Sequence, residues 1–215
     1  MMKDTIESTS NFWSDFATDF EKNNEKVVGS KNQRMVIQWL QQQKNLGITL
    51  ELGSGDGAYT NHLRHEATRY HATDLSNEMR EQLKRRFTND PKVVVEEANC
   101  FGTPYPENTF DTVVMANLYH IIPSHTEALK EIYRILKPNG KLIIVSYTNY
   151  GMSFLSKMGL AYRYLKQYKK KAPYSRTLIP SIVEKELTAF QFNNSTLQLI
   201  GESTKALCVE TFKIP

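Results

Sequence analysis

The sequence has only two cysteines, Cys100 and Cys208, among its 215 residues. They lie far apart, and neither belongs to a Cys-x-x-Cys pair or to a spacing that is typical of a metal site. This pattern argues against a disulfide-stapled fold, and we predict no metal ligands. Sparse, unpaired thiols indicate a reducing compartment, so we expect a cytoplasmic protein.

Long apolar runs are also missing. No stretch approaches the roughly 18 residues that a transmembrane helix requires. Residues 1–24 contain no basic segment followed by an apolar one, which argues against a signal peptide. We find no repeat, low-complexity tract or linker, and 215 residues with 40% hydrophobic composition suit one compact domain.

A strong excess of one charge is absent, because the net charge is only +4. A value this small does not suggest nucleic acid as a partner. Basic residues do form one local cluster after a Tyr-rich segment: Lys166, Lys169, Lys170 and Lys171, with Arg163 and Arg176 nearby. Such a cluster is either a solvated helix face or a patch that contacts an anion or a membrane.

Apolar runs rich in Val, Ile and Leu alternate with amphipathic segments of about ten residues or more. Five runs predict strands, near 47–53, 70–75, 93–100, 110–115 and 141–147. Strands separated by helices are typical of a parallel sheet that is covered on both faces. Two further runs leave no room for a helix between them and should pair as a hairpin, at 196–200 and 206–212. The pattern predicts an α/β, doubly wound, Rossmann-like sheet of seven mostly parallel strands with a C-terminal antiparallel hairpin and helices on both faces.

The most informative segment follows the first predicted strand, where glycines occupy positions 53, 55 and 57. Glycine adopts positive φ readily and lets a ligand approach the main chain closely. A strand, a glycine-rich turn and a helix N-terminus together form a site for a nucleotide-like ligand. The same residues also satisfy the G-x-G-x-x-G/A pattern of nicotinamide-dependent enzymes, so the loop alone leaves the cofactor open.

Four segments in the same order and spacing resemble the class I S-adenosylmethionine-dependent methyltransferases, over roughly residues 30 to 215. They are Glu-Leu-Gly-Ser-Gly-Asp-Gly (51–57), Ala-Thr-Asp-Leu-Ser (72–76), Glu-Ala-Asn-Cys (97–100) and Leu-Lys-Pro-Asn-Gly-Lys-Leu (136–142). The branch that the chain resembles most is the small-molecule group typified by ubiquinone/menaquinone-biosynthesis methyltransferases. The resemblance implies S-adenosylmethionine as cofactor and a small-molecule acceptor. The Asn/Asp-Pro-Pro-aromatic motif of nucleic-acid methylation is absent, so no nucleic-acid partner is expected.

The resemblance implies roles for single residues in cofactor binding. Asp74 would accept hydrogen bonds from the ribose hydroxyls, and Glu51 would lie near the methionyl amino group. Asp74 could instead cap the next helix, and Glu51 could be a strand-edge charge. The predicted cofactor set is Glu51, Gly53, Ser54, Gly55, Asp56, Gly57, Tyr59, Asp74, Leu75, Asn99, Cys100 and Asn117.

Two positions depart from the family pattern. Asn99 stands where the family usually has an Asp that faces the adenine amino group. An Asn oxygen can still accept this hydrogen bond, unless Cys100 or Glu97 faces the ring instead. Phe20 stands where related proteins often carry a Tyr, so a hydroxyl contact to the methionyl carboxylate would be missing.

The catalytic candidates follow the fourth and fifth strands. His120 titrates near neutrality and is the best candidate for a base, which is needed only if the acceptor must lose a proton. Tyr119 and Tyr147 are candidates for lining the acceptor pocket. Each of the three could equally be a structural residue.

The chain divides into an N-terminal aromatic helix within 1–29 and a methyltransferase domain over 30–215. Phe12, Phe16 and Phe20 recur at spacing four and predict an amphipathic helix over 10–20. A helical insert at about 150–180 would select the substrate, and its apolar stripe either packs on the sheet or forms a lid with the aromatic helix. Residues 150–172 are also the candidate contact with a membrane or lipid.

Two other functions stay open. A nicotinamide-dependent reductase would use the same glycines, and a non-catalytic S-adenosylmethionine-binding scaffold would keep the loop without turnover. The identity of the acceptor and the oligomeric state do not follow from the sequence.

Overall fold

A computed structural model describes residues 2–215. Its seven strands are β1 Gly47–Leu52, β2 Ala67–Thr73, β3 Val93–Glu96, β4 Phe110–Ala116, β5 Leu136–Thr148, β6 Phe192–Ile200 and β7 Lys205–Lys213. Within the same residues, the eight α-helices are α1 Met2–Ser14, α2 Phe20–Val28, α3 Ser30–Gln41, α4 Thr60–Leu63, α5 Asn77–Arg86, α6 His125–Ile135, α7 Phe154–Tyr168 and α8 Pro180–Ala189. None of the helices described has the length and apolarity to cross a bilayer.

The strands form one sheet in the order β3-β2-β1-β4-β5-β7-β6. The first five strands in this order pair in parallel, and β7 runs antiparallel to both β5 and β6. The chain proceeds from β1 outward to β3 and then crosses back to β4, which creates a crevice at the carboxyl ends of β1 and β4. The predicted Rossmann-like sheet with its C-terminal antiparallel hairpin is confirmed.

Helices cover both faces of the sheet. On one face, strand residues such as Leu50 and Val113 share a buried cluster with apolar residues of α6 and α8. On the other face, Val114 and Ile143 share a cluster with residues of α3, α4 and α5. Successive residues of a strand point to opposite faces, so continuous runs of Val, Ile and Leu fill two cores at once.

The predicted Pro-Asn-Gly turn lies inside β5, where the regular pairing of β5 with β4 is interrupted. The pairing with β4 shifts between Phe110 and Thr112, and Asn139 has a φ of 62°. Asp111 ties this amino edge of the sheet together, because its Oδ2 accepts from the Ile48 amide at 2.8 Å and its Oδ1 from Lys137 Nζ at 2.7 Å.

The single helix that the aromatic spacing predicts over residues 10–20 is wrong in its extent. Helix α1 ends at Ser14, a 3-10 turn covers Ala17–Asp19, and α2 begins at Phe20. The new helix starts here because the Glu21 amide donates to Asp56 Oδ2 at 2.8 Å. A carboxylate at a helix N-terminus satisfies amides that lack partners within the helix, and this one comes from a distant part of the chain.

Glu51 is a fully buried carboxyl on β1. Its Oε2 accepts hydrogen bonds from the Thr60 hydroxyl and, at 3.0 Å, from the Tyr70 hydroxyl. Its Oε1 has no hydrogen-bond partner among residues 2–215. Burial raises the pKa of Glu51 from its usual 4.5 to about 7. The ionised form is therefore disfavoured in the folded state, and the fold loses stability as the pH rises through this range.

We expect Glu51→Gln to remove this pH dependence. The unfolded chain ionises Glu51 freely above its usual pKa of 4.5, whereas the folded chain resists ionisation until about pH 7. The cost of ionising the folded protein is on the order of 3 kcal/mol at pH 8 and disappears below pH 4.5. Melting temperatures between pH 5 and 8 should fall more for the wild type than for Glu51→Gln. The exposed Glu184→Gln serves as control, and equal slopes for wild type and Glu51→Gln would refute the expectation.

Candidate active site

A cavity of about 680 Å³ opens at the carboxyl edge of the sheet. It lies between the glycine loop, the segments after β2, β3 and β4, and the helices α1, α2 and α7. Most of the predicted site residues line it: Gly53, Ser54, Gly55, Asp56, Tyr59, Asp74, Leu75, Asn99, Cys100, Asn117, His120 and Tyr147. Glu51, Gly57 and Tyr119 do not line it.

The glycine loop needs its glycines for two reasons. Gly53 has a φ of 69°, and a Cβ there would lie 3.1 Å from the Leu118 side chain at the cavity wall. Gly57 has a φ of 83°, and a Cβ there would lie 2.6 Å from the Phe87 ring. Gly53 therefore shapes the cavity, whereas Gly57 lets the loop pack against α5 and its following residue.

Asp74 links the glycine loop to the next helix. Its Oδ2 accepts from the Gly55 amide at 3.0 Å and its Oδ1 from the Ser76 amide at 2.9 Å. Ser76 itself caps α5, since its Oγ accepts from the Met79 amide at 3.2 Å. Burial raises the pKa of Asp74, while these amide hydrogen bonds favour its charged form. The carboxylate keeps further lone pairs that a ligand in the cavity can use.

Asp56 joins the loop to the N-terminal segment. Besides the Glu21 amide, it accepts from the Ala58 amide at 3.3 Å. Burial raises its pKa as well. The first turn of α2 is thereby held against the glycine loop.

Behind the loop, Ser54 connects β1 to β2. Its hydroxyl donates to the Glu51 carbonyl at 3.2 Å and accepts from the Thr73 amide at 3.0 Å. The Glu51 carboxyl also lies behind the glycine loop. It accepts hydrogen bonds from Thr60 and Tyr70 and does not line the cavity. Its predicted role near a methionyl amino group stays a prediction.

Asn117, which follows β4, places a polar side chain in the wall of the cavity. Asn117 has a φ of 58°, and its Nδ2 donates to the Tyr59 hydroxyl at 3.1 Å. Burial raises the pKa of Tyr59 to about 12, so the phenol stays neutral.

Among residues 2–215, eight buried side-chain polar atoms lack a hydrogen-bond partner, and five belong to residues that line this cavity: Trp13 Nε1, Asn117 Oδ1, His120 Nδ1, Tyr147 OH and Tyr164 OH. Buried polar groups are normally satisfied, so this concentration indicates a ligand site.

Asn99 and Cys100, which follow β3, both line the cavity. Asn99 Oδ1 accepts from the Phe101 amide at 3.0 Å and closes a local turn. Burial raises the pKa of the Cys100 thiol to about 12, so it is neither a thiolate nor a nucleophile at neutral pH. Glu97 does not line the cavity and pairs instead with Arg80 at 2.9 Å.

The neighbours Tyr119 and His120 face different surroundings. Tyr119 is fully buried, donates to Glu186 at 2.9 Å and stacks on His125 with ring centroids 3.7 Å apart. His120 lines the cavity, and burial lowers its pKa to about 4. The imidazole is therefore neutral at pH 7, and of this pair only His120 is placed to contact a ligand.

The N-terminal helices and α7 close over the cavity. Trp13 and Phe16 meet Tyr168 edge-to-face, with ring centroids 5.5 and 4.8 Å apart. Arg163 Nε donates to the Val27 carbonyl at 2.7 Å. The structure thus packs the predicted aromatic segment against the predicted insert.

The opposite face of α7 is exposed and apolar. Phe154 and Leu155 are 75% and 79% exposed, and Met158 and Tyr162 are also exposed. Leu165 is exposed as well but also lines the cavity. Because this face has no partner in the described chain, the stripe does not serve only to pack on the sheet.

Several residues that line the cavity were not among the predicted site residues. Trp13, Tyr164 and Leu160 come from the two helices that close over it. Their helical spacing indicated an apolar stripe but not which side of it would face a ligand. Arg176 lies within the predicted insert and beside the basic cluster, whose sequence left open a solvated face or a contact with an anion.

Comparisons with known proteins bear on this site. Residues 50–144 match the family model described as a methyltransferase domain. An uncharacterised methyltransferase-like protein of Schizosaccharomyces pombe is 34% identical over 128 residues, which are 59% of this chain and 47% of that protein. The chain therefore spans about half the length of this relative. A ubiquinone/menaquinone biosynthesis C-methyltransferase of Hydrogenovibrio crunogenus is 26% identical over 72% of this chain and 70% of its own length.

Solved structures share the fold. An S-adenosylmethionine-dependent methyltransferase from Aquifex aeolicus superposes with a TM-score of 0.63 at 18% identity, covering 88% of this chain and 92% of that one. Such a likeness concerns the fold alone. Together, the comparisons confirm the resemblance that the sequence motifs indicate.

The contact between Asp56 and α2 yields a prediction. Replacing Asp56 with Ala removes the acceptor for the Glu21 amide, and the loss of a helix cap typically costs about 1 kcal/mol. Amide hydrogen exchange in residues 21–28 should accelerate by about fivefold or more. The control is Asp15→Ala, which removes only an exposed ion pair with Lys170. Unchanged exchange in residues 21–28 of Asp56→Ala would contradict the capping role.

Proposed function

We propose that this chain, which carries a methyltransferase domain over residues 50–144, transfers a methyl group from S-adenosylmethionine to a small apolar or amphipathic acceptor. The observation that carries the proposal is the cavity at the carboxyl edge of the sheet, beside the glycine loop and Asp74. Ligands of doubly wound folds bind at this edge, where the strand order reverses.

The residues of the cavity fit the cofactor. Asp74 can accept hydrogen bonds from ribose hydroxyls with the lone pairs that its two amide contacts leave unused. Asp56 adds a second carboxylate beside the loop, which favours a ligand that carries positive charge. Asn117 Oδ1 and Trp13 Nε1 offer a buried acceptor and a buried donor that lack partners in the described chain.

When bound, S-adenosylmethionine supplies a methyl group on a sulfonium; the sulfur–methyl bond breaks as the acceptor–methyl bond forms, which leaves a thioether. The task of the protein is to hold the acceptor in line and to exclude water. The helices α1 and α7 serve the second purpose by closing over the cavity. Ile121, Ile122 and Leu160 give the acceptor end an apolar wall.

His120 is the candidate base. Its Nδ1 is buried and has no partner in the described chain, and its low pKa of about 4 keeps the ring neutral. A base this weak takes a proton only from a group that becomes acidic as the new bond forms. Tyr147, whose hydroxyl is also buried and unpartnered, is the candidate for orienting the acceptor. Tyr119 has no part in this proposal, because its hydroxyl is bonded to Glu186 away from the cavity.

Two alternatives predict different results. A nicotinamide-dependent reductase would bind a nicotinamide dinucleotide, whereas the methyltransferase match supports S-adenosylmethionine. A scaffold would bind S-adenosylmethionine without turnover. A radiolabelled methyl-transfer screen against quinols, phenols, amines, thiols and aminophospholipids separates enzyme from scaffold. Tight binding without transfer to any acceptor would favour the scaffold.

We expect Asp74→Asn to weaken the binding of S-adenosylhomocysteine by at least tenfold, measured by calorimetry. The amide keeps one oxygen for the loop but loses the charge that strengthens hydrogen bonds from hydroxyls. Asp111→Asn is the matched control, because Asp111 also ties backbone together but at the amino edge of the sheet. Equal affinities in the wild type and Asp74→Asn would contradict a ribose role for Asp74.

We also propose that α7 contacts an anionic lipid surface. Its exposed apolar face carries Phe154, Leu155 and Met158, and the exposed cation Lys166, which does not line the cavity, lies on the same helix. An apolar helix face with lysines on the polar side is typical of interfacial helices. Such a contact would bring the cavity mouth close to amphipathic acceptors.

Vesicle sedimentation tests this contact. The double variant Phe154→Ser with Leu155→Ser should lose most binding to phosphatidylglycerol vesicles, because about 1.5–3 kcal/mol is lost per large apolar side chain. Ile182→Ser, which changes an exposed apolar residue of α8, should retain it. Equal binding by the double variant and the wild type, or none by either, would refute the proposal.

A further inference from the structure

The two ends of the cavity differ in charge. The acidic side chains that line it, Glu21, Asp56 and Asp74, all belong to the side formed by α2 and the loops after β1 and β2. The basic side chains are Lys157 on α7 together with Lys171 and Arg176 in the segment that follows it. In the described residues, no acidic side chain lines the α7 end.

The acids are already engaged. Asp56 and Asp74 accept from backbone amides, and Glu21 forms an ion pair with Arg86 at 2.9 Å. Lys157 and Lys171 are exposed and have no ion pair within residues 2–215. Lys170, which does not line the cavity, does have one, with Asp15 at 2.7 Å. Unlike Lys170, the two cavity lysines therefore have no opposite charge paired with them within residues 2–215.

Arg176 is held in place by its neighbours. Its Nε donates to the Tyr174 hydroxyl at 2.9 Å, and an Nη donates to the Pro123 carbonyl at 3.3 Å. Its backbone amide donates to the His120 carbonyl at 2.9 Å, so it stands beside the candidate base. A guanidinium that is fixed in this way loses little side-chain entropy when it binds an anion.

Glu186 interacts electrostatically with Arg176 but makes its hydrogen bonds to other residues. Glu186 accepts from the Tyr119 hydroxyl at 2.9 Å and contacts His125 Nδ1 at 2.8 Å. His125 Nε2 lies 2.7 Å from the Tyr119 carbonyl. Arg176 Nη1 lies 3.4 Å from His125 Nδ1, the same ring nitrogen that Glu186 contacts. Within residues 2–215, no carboxylate oxygen forms a direct ion pair with Arg176, and Glu186 contacts His125 instead.

We propose that the acceptor carries an anionic group, a carboxylate or a phosphate, on an apolar body, and that the positive charge of Lys157, Lys171 and Arg176 along this side of the cavity attracts this group. The inference deepens the proposed function and rests on it. The cavity would then match a cationic cofactor at its acidic end and an anionic acceptor at its basic end. This complementarity orients both molecules and excludes acceptors that carry a positive charge.

Binding of octanoate, octyl phosphate and 1-octanol tests the inference. The three probes share an eight-carbon chain, so their apolar contacts are alike and their head groups differ. Calorimetry is performed with and without saturating S-adenosylhomocysteine. We expect at least one anionic probe to bind ten or more times tighter than 1-octanol, and its affinity to fall with added salt. The stronger of the two anions identifies the head group.

Variants assign the effect to the cavity. Lys157→Gln with Lys171→Gln should weaken the preferred anion about tenfold and leave 1-octanol unchanged, and Arg176→Gln should act in the same direction. The control pair is Lys130→Gln with Lys185→Gln, which removes two exposed lysines outside the cavity. Because Lys157 and Lys171 are exposed, their variant tests the inference even if Arg176→Gln fails to fold.

The possible failures are distinguishable. If 1-octanol binds as well as both anions, or if the Lys157/Lys171 variant binds the anion as the wild type does, the anionic acceptor is refuted while cofactor binding stands. If S-adenosylhomocysteine does not bind at all, the proposed methyl transfer is refuted, and the probes alone then report on the basic end of the cavity.

Discussion

The parallel pairing of β1 with both β2 and β4 is the constraint on which the rest of the structure depends. It brings the carboxyl ends of neighbouring strands to one edge of the sheet. Strand β2 lies on one side of β1 and β4 lies on the other, so a crevice opens between the loops that follow them. The site residues follow from this arrangement: the glycine loop leaves β1, Asp74 leaves β2, Asn117 leaves β4, and Tyr147 lies near the end of β5. Residues that are up to about a hundred positions apart thereby line one cavity.

Carboxylates at this edge are costly to bury, and the structure compensates each one differently. Asp74 and Asp56 accept backbone amides, which favours their charged forms and at the same time ties the loop to α5 and α2. Glu51 has hydroxyl donors on only one of its oxygens, and burial raises its pKa to about 7; burial also raises the pKa of Asp56 and of Asp74. The hydrogen bond from the Glu21 amide to Asp56 also holds α2, one of the helices that close over the cavity. The stability of this segment and the shape of the cavity are therefore coupled at the glycine loop.

Much of the site could be predicted because its signals are local. Three alternating glycines after an apolar run and an acid about 20 residues later require neither a partner nor an alignment to be recognised. The sequence did not show that Tyr119 is buried away from the cavity while His120 lines it. This difference depends on the contacts of the Tyr119 side chain with Glu186 and His125. The helix predicted over 10–20 failed for a similar reason: spacing describes a face, but the break before Phe20 depends on Asp56.

The sequence by itself determined the α/β class, the order of strands and helices, the closing hairpin and the glycine loop, because these rest on periodicity, turn chemistry and backbone freedom within short windows. Only the tertiary structure decided which side chains share the cavity, that α7 exposes an apolar face, and that the acids and cations of the cavity come from different elements. These properties arise between segments that are distant in the chain. Burial and charge pairing depend on neighbours in space, which no local pattern specifies.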